Sequence, residues 1–114
     1  MLNPAASLFG YLKVSDSGVT ATTRDTLYGQ FTGGTSTGDK IDLSAVATGN
    51  SASAVFHFNG AAAFTTNHPG QVRVTGSGTT YTVSINTDNE VAAEMTIVSH
   101  TSAAHTFVAG DFFL

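Results

Sequence analysis

Apolar and polar residues alternate with a period of two along much of this chain. In AVFHFN (residues 54–59) Phe56 and Phe58 fall on one face. In QVRVT (71–75) Val72 and Val74 share a face with Arg73 opposite, and in TTYTVSI (79–85) Tyr81, Val83 and Ile85 line up. Such alternation marks strands with one buried face. Between the last two stands GSG (76–78), rich in residues that tolerate positive φ, so residues 71–85 read as a β-hairpin. EMTIVSH (94–100) reads as a further strand. Upstream, GVTATTRD and TLYGQF read as short strands broken near residues 23–26, with Leu27 and Phe31 facing inward, and GGTSTGD ends them. NSASAV and GAAAFTTNHPG read as loops or a brief helical turn, because a few alanines without caps cannot sustain a longer helix. No long amphipathic helix is written anywhere. Strands spaced by about ten residues predict an all-β fold: a β-roll or β-sandwich-like single domain of short, mostly antiparallel strands.

Composition sharpens this picture by exclusion. A chain of 114 residues supports one modest core. Charged residues make up only 11% and the formal net charge is -4, so the basic surface that neutralises phosphates is missing and nucleic acid is excluded as a partner. Lys13, Arg24, Lys40 and Arg73 are scattered, which argues against attraction to an anionic membrane surface. No apolar run approaches the roughly 18 to 20 residues of a spanning helix, so no transmembrane segment is expected. The opening MLNPAASLFGYLKV has neither the basic n-region nor the continuous apolar h-region of a Sec signal peptide. Without cysteine there are no disulfides or thiolate metal sites. The bias to Thr, Ser, Gly and Ala with few Lys and Glu is unlike a helical cytosolic domain, while Thr, Val and Phe suit pleated surfaces, and the composition is of an all-β, extracellular style.

The charged octapeptide GDKIDLSA (38–45) stands out in this neutral chain. Gly and Asp make a turn, after which Ile41 and Leu43 alternate inward while Lys40 and Asp42 face water. The run RDTLYGQFTGGTSTGDKIDLSAV (24–46) resembles serralysin-type metalloproteases and other secreted proteins with RTX calcium repeats. The likeness lies where the repeat array of those proteins gives way to a C-terminal cap: Asp25, Thr26, Leu27 and Phe31 fit the first half of that pattern, and Asp39, Lys40, Ile41, Asp42, Leu43 and Ser44 the second. Residues 54–74 then resemble the family pattern F-x-F-x-G-x-x-x-F-x-x-x-x-G-Q-L-R, through Phe56, Phe58, Gly60, Phe64, Gly70, Gln71, Val72 and Arg73. The ending Asp111, Phe112, Phe113, Leu114, an acid followed by three large apolar residues, resembles the terminal motif of type I secretion substrates. The resemblance divides the chain into an N-terminal extension (1–23) and a serralysin C-terminal-like β domain (24–114), and it implies export through an ABC transporter channel. The other reading of the ending is a last strand completing the sheet, and the two are compatible if the signal is read before folding.

Two departures limit what the resemblance carries. The glycine-aspartate calcium repeats are absent, with GGTSTGD (33–39) at most a relic. The family's D-x-N-G-D-G-x-A-D-F turn is replaced by INTDNEVAAEMTI (85–97), in which both glycines are lost and a residue is inserted. Asp88, Asn89, Glu90 and Glu94 remain as candidate ligands of a weak calcium site, against the alternative of a plain solvated turn. No other cofactor is implied.

Catalytic signatures are missing as well. There is no zincin H-E-x-x-H, no G-x-S-x-G elbow and no phosphate-binding glycine loop, so no enzyme is expected. Of His57, His68, His100 and His105, only the last two come near a metal-pair spacing, against the alternative of surface or strand-face histidines. His57, between Phe56 and Phe58, points to the solvent side.

Residues 1–23 lie outside the main resemblance and carry an apolar cluster: Leu8, Phe9, Tyr11, Leu12 and Val14. This segment is either an edge strand of its own sheet or a strand donated to a neighbouring subunit, an assembly element. With Met1 as the native start, the expectation is a secreted, extracellular, non-catalytic structural protein of the cell surface or matrix. It would be exported by a type I transporter and self-associate through strand edges into filaments or arrays. The alternative is a detached secretion and folding module of a larger RTX hydrolase or adhesin. A carbohydrate-binding module, using Tyr11, Tyr28 and Tyr81 as stacking platforms, is a third class.

Overall fold

The computed structural model describes residues 8–11, 17–20, 22–29, 39–44, 46, 56–68, 70–88 and 90–114, with Leu8 and Gly29 as backbone. Strands dominate these residues: β1 (Leu8–Gly10), β2 (Asp25–Gly29), β3 (Lys40–Asp42), β4 (His57–Phe58), β5 (Gln71–Ser77), β6 (Thr80–Asn86), β7 (Met95–Thr101) and β8 (Phe112–Phe113). They form a five-stranded sheet of order β2-β7-β6-β5-β4 and a three-stranded sheet of order β1-β3-β8. The fold is all-β.

The alternating runs behave as their pattern requires. In β5, β6 and β7 the apolar positions fall into cross-strand rows: Val72 faces Ile85, which faces Met95, and Val74 faces Val83, which faces Ile97. Each row puts directly opposed side chains on one face, where they pack as a unit. The hairpin turn is tighter than GSG suggested. Gly76 and Ser77 remain in β5 and Ser77 pairs with Thr80, leaving Gly78 and Thr79 as the loop. Gly78 has φ +64, the conformation that a two-residue loop with glycine first demands. At Gly76, φ +127, an added Cβ would lie 2.5 Å from the Thr80 carbonyl oxygen, so the partner strand itself requires glycine there.

Pairing direction adds something the pattern did not express. The two longest ladders, β5 with β6 and β6 with β7, are antiparallel, as expected. The four others, β1 with β3, β2 with β7, β3 with β8 and β4 with β5, are parallel. The larger sheet is therefore mixed and the smaller one parallel throughout. Parallel neighbours need crossover connections rather than hairpins, and each parallel pair here is separated by twelve or more residues of intervening chain.

One other local expectation changes, and of the two alternatives for the described residues within 60–70 the loop is the one found. The described residues 18–20 and 22–24 form a turn rather than a strand: Gly18 N–H bonds the Thr23 carbonyl, Thr23 and Arg24 N–H both bond the Thr20 carbonyl, and the Thr20 and Thr23 hydroxyls lie 2.6 Å apart. Threonine hydroxyls offer local hydrogen bonds that compete with a ladder, so a β-rich composition here builds a turn. Residues 61–64 form no helix. After Asn59 the chain turns and returns to β5, with Phe64 buried beneath it.

One core joins the sheets. Ile41 and Leu43 from β3 and its end, Phe112 from β8 and Tyr11 after β1 pack in the same cluster as Val72, Val83, Ile85, Met95 and Ile97. In the charged octapeptide Ile41 and Leu43 are fully buried, as the alternation requires, whereas Lys40 and Asp42, expected to face water, are half-buried. Asp42 Oδ1 then accepts from both the N–H and the hydroxyl of Ser44, closing the strand with a side-chain turn. The described residues before Arg24 are tied into the same body. β1 lies along β3, and Ser17 and Gly18 bond Thr96 of β7. No helix among the described residues is long and apolar enough to cross a membrane.

Candidate functional site

The chain end is built into the core. A short 3-10 turn (Ala109–Asp111) delivers β8 alongside β3, with Ile41 opposite Phe112 and Asp42 opposite Phe113, and Leu43 N–H donates to the Phe113 carbonyl at 2.8 Å. Asp111 is 1% exposed, and its Oδ2 accepts from Val108 N–H at 2.9 Å and faces His105 Nε2 at 2.9 Å. The imidazole stands edge-on to Phe107, which in turn meets Tyr81 edge-on, and Phe112 contacts both Phe107 and Phe58. His105 N–H donates to the Tyr81 hydroxyl, which donates to the Gly78 carbonyl. On the outer side, Lys40 donates to the Gly110 carbonyl and its ammonium lies over the Phe113 ring. Strand β3, within GDKIDLSA, and strand β8, within DFFL, are thus neighbours. Of the terminal motif, Asp111 and Phe112 are buried, Leu114 is half-buried and Phe113 is exposed.

The candidate calcium turn follows β6. Asp88 Oδ1 accepts from Glu90 N–H, Glu94 Oε1 accepts from Thr87 N–H at 2.7 Å, and the fully buried Asn86 bonds both Asp88 N–H and the Glu90 carbonyl. Asn89 lies outside the described residues. Partial burial pushes the Glu94 carboxyl above its ordinary range, the neighbouring Asp88 charge adds to this, and the Thr87 hydrogen bonds offset part of it. Carboxylate oxygens here serve their own backbone. Among the described residues no group of three His, Asp or Glu side chains is placed to hold a metal ion.

The histidines separate. His100 stacks on Tyr28, ring centroids 4.9 Å apart, and meets the Thr80 hydroxyl, whereas His105 belongs to the Asp111 cluster. His57 is exposed, as its place between Phe56 and Phe58 suggested, and with His68 it lines a cleft of about 700 Å³. The floor of that cleft is Gln71, 4% exposed. Its Nε2 donates to the carbonyls of Thr65 and His68, and its Oε1 accepts from Asn59 Nδ2 and Thr65 N–H. Arg73 Nη2 holds the Ala61 carbonyl. The G-Q-V-R motif is therefore a pair of pins that fasten the loop after β4 to β5. The cleft itself carried no sequence signal, because its polar side chains are unremarkable loop residues until Gln71 gathers them.

Of the apolar N-terminal residues, Phe9 packs against the core and Tyr11 is 5% exposed, with its hydroxyl on Asp25 Oδ2 and its N–H on the Asp42 carbonyl. Leu12 and Val14 lie outside the described residues, as does Phe31, and for Leu8 the backbone alone is placed, in β1. The tyrosine platform does not come together: Tyr11 and Tyr81 are core residues and only Tyr28, 77% exposed, presents its ring. A comparison with protein-family models gives no match, and one with curated proteins gives none either.

Proposed function

We propose that this chain is a secreted, non-catalytic structural protein of the cell surface or extracellular matrix. It leaves the cell by a type I route and self-associates through strand edges. The observation that carries the assembly reading is β2. It ends the order of the larger sheet, so no described strand pairs with its outer side, and it presents Tyr28 at 77% exposure. At five residues it is longer than the other sheet-end strands, β1, β4 and β8. An edge of this kind is a template for another chain unless it is shortened, bulged or charged. The test is Tyr28→Lys, which places a charge on that edge. The wild-type chain is expected to sediment as oligomers and the variant as a monomer with a nearly unchanged melting temperature. A wild-type chain that stays monomeric at high concentration would overturn the reading.

A second reading is the secretion and folding module of an RTX hydrolase or adhesin, related to the serralysin C-terminal domain. What favours it is the pairing of β3 with β8, which joins the two segments that resemble that family. Genomic sequence upstream of Met1 separates the readings: an open frame continuing into glycine-aspartate repeats supports the module.

A further inference from the structure

We infer that the cleft under the loop after β4 is a binding site for a neutral, hydroxyl-rich ligand, a pyranose sugar. Its volume of about 700 Å³ lies within the range of small-molecule sites, which is roughly 300 to 1,000 Å³. Its polar rim is made by His57, Thr65, Asn67 and His68, all exposed, with Asn59 half-buried behind them. No Asp, Glu, Lys or Arg lines it among the described residues. A cleft without formal charges selects against phosphates, carboxylates and amines, which need a counter-charge once desolvated.

The amide and hydroxyl groups of this rim share one property: each both donates and accepts. A sugar hydroxyl has the same double character, so a rim of such groups satisfies it in either sense. The remaining lining is Phe58 with the methyl groups of Ala62 and Ala63, a surface suited to the C–H face of a sugar ring. The site is also preorganised. Gln71 spends both amide hydrogens and its oxygen on the loop, which fixes the carbonyls of Thr65 and His68 and also engages the Asn59 amide and the Thr65 hydroxyl, so His57, Asn67 and His68 are the rim side chains turned to a ligand. Asn67 is held at φ +61, a left-handed conformation that asparagine tolerates and most residues resist. This site is distinct from the tyrosines considered above and does not depend on the secretion and assembly reading.

The experiment is an amide NMR titration of the full chain with methyl glucoside, methyl galactoside, methyl mannoside and N-acetylglucosamine, each at millimolar concentration, with inorganic phosphate as a separate arm. The expected result is saturable shifts within residues 57–71 for at least one sugar and none for phosphate. Asn67→Gly keeps the backbone conformation and removes the amide, and should weaken binding by about tenfold without lowering the melting temperature. Ala63→Trp fills the cleft and should abolish binding. The proposal is overturned if no sugar produces shifts, if the shifts fall outside this loop, if phosphate alone saturates the site, or if folded Asn67→Gly binds as the wild type does.

Discussion

Asp111 and Ser99 show how single buried polar groups set the stability of this domain. The Asp111 carboxylate, 1% exposed, is satisfied by Val108 N–H and His105. Asp111→Ala leaves both partners unmet in a buried place and should cost about 3 kcal/mol, read as a lower urea midpoint. Ser99 is the opposite case: its hydroxyl is buried on the core face of β7 with no partner. Ser99→Ala removes an unmet polar group and should stabilise by about 1 kcal/mol with an unchanged m-value. Glu94 adds a pH term. Its folded pKa is raised, so the native state holds this proton more tightly than the unfolded chain does. The contribution is therefore fully present below the ordinary value of 4.5 and is lost as the pH rises through the higher folded pKa. Glu94→Gln keeps an acceptor for Thr87 N–H. It should be at least as stable as wild type at neutral pH, and that relative advantage should vanish on acidification below 4.5, in paired urea melts.

At the level of elements, β3 is the strand on which the smaller sheet depends. It sits between β1 and β8, and Ile41 at its centre is fully buried. Removing residues 1–15 takes away β1 with Phe9 and Tyr11, and should lower stability by roughly 2 to 3 kcal/mol while assembly through β2 persists. A folded monomer that no longer assembles would instead mark the segment as a strand donated between subunits. The long elements were legible in the sequence because β5 and β6 each carry alternating positions with one wholly apolar face. β1 and β8 stood in the sequence only as one of two alternatives each, an edge strand and a last strand, since strands of three and two residues cannot display a period and their pairing with β3 spans much of the chain. The turn that ties Gly18, Thr20, Thr23 and Arg24 was misread because threonine serves a ladder and a hydroxyl-bonded turn equally well. The burial of Asp111 was hidden for a related reason: an acid beside a terminus reads as solvated until His105, six positions earlier, folds back onto it.

Across the whole molecule, two sheets share one core, so the chain should unfold in a single cooperative transition. Deleting Asp111–Leu114 removes β8 and should both stop export and destabilise the fold, because burying Phe112 contributes about 1.5 to 3 kcal/mol. Fusing the last segment to a passenger separates the two effects, since export of the passenger depends on the signal alone. Electron microscopy of the native material, taken from the culture medium and from the cell surface, tests the proposed function most directly. The account predicts fibres or arrays outside the cell that contain this chain and that are lost with Tyr28→Lys. Retention of the chain inside the cell, or dispersed single particles outside it, would contradict the account.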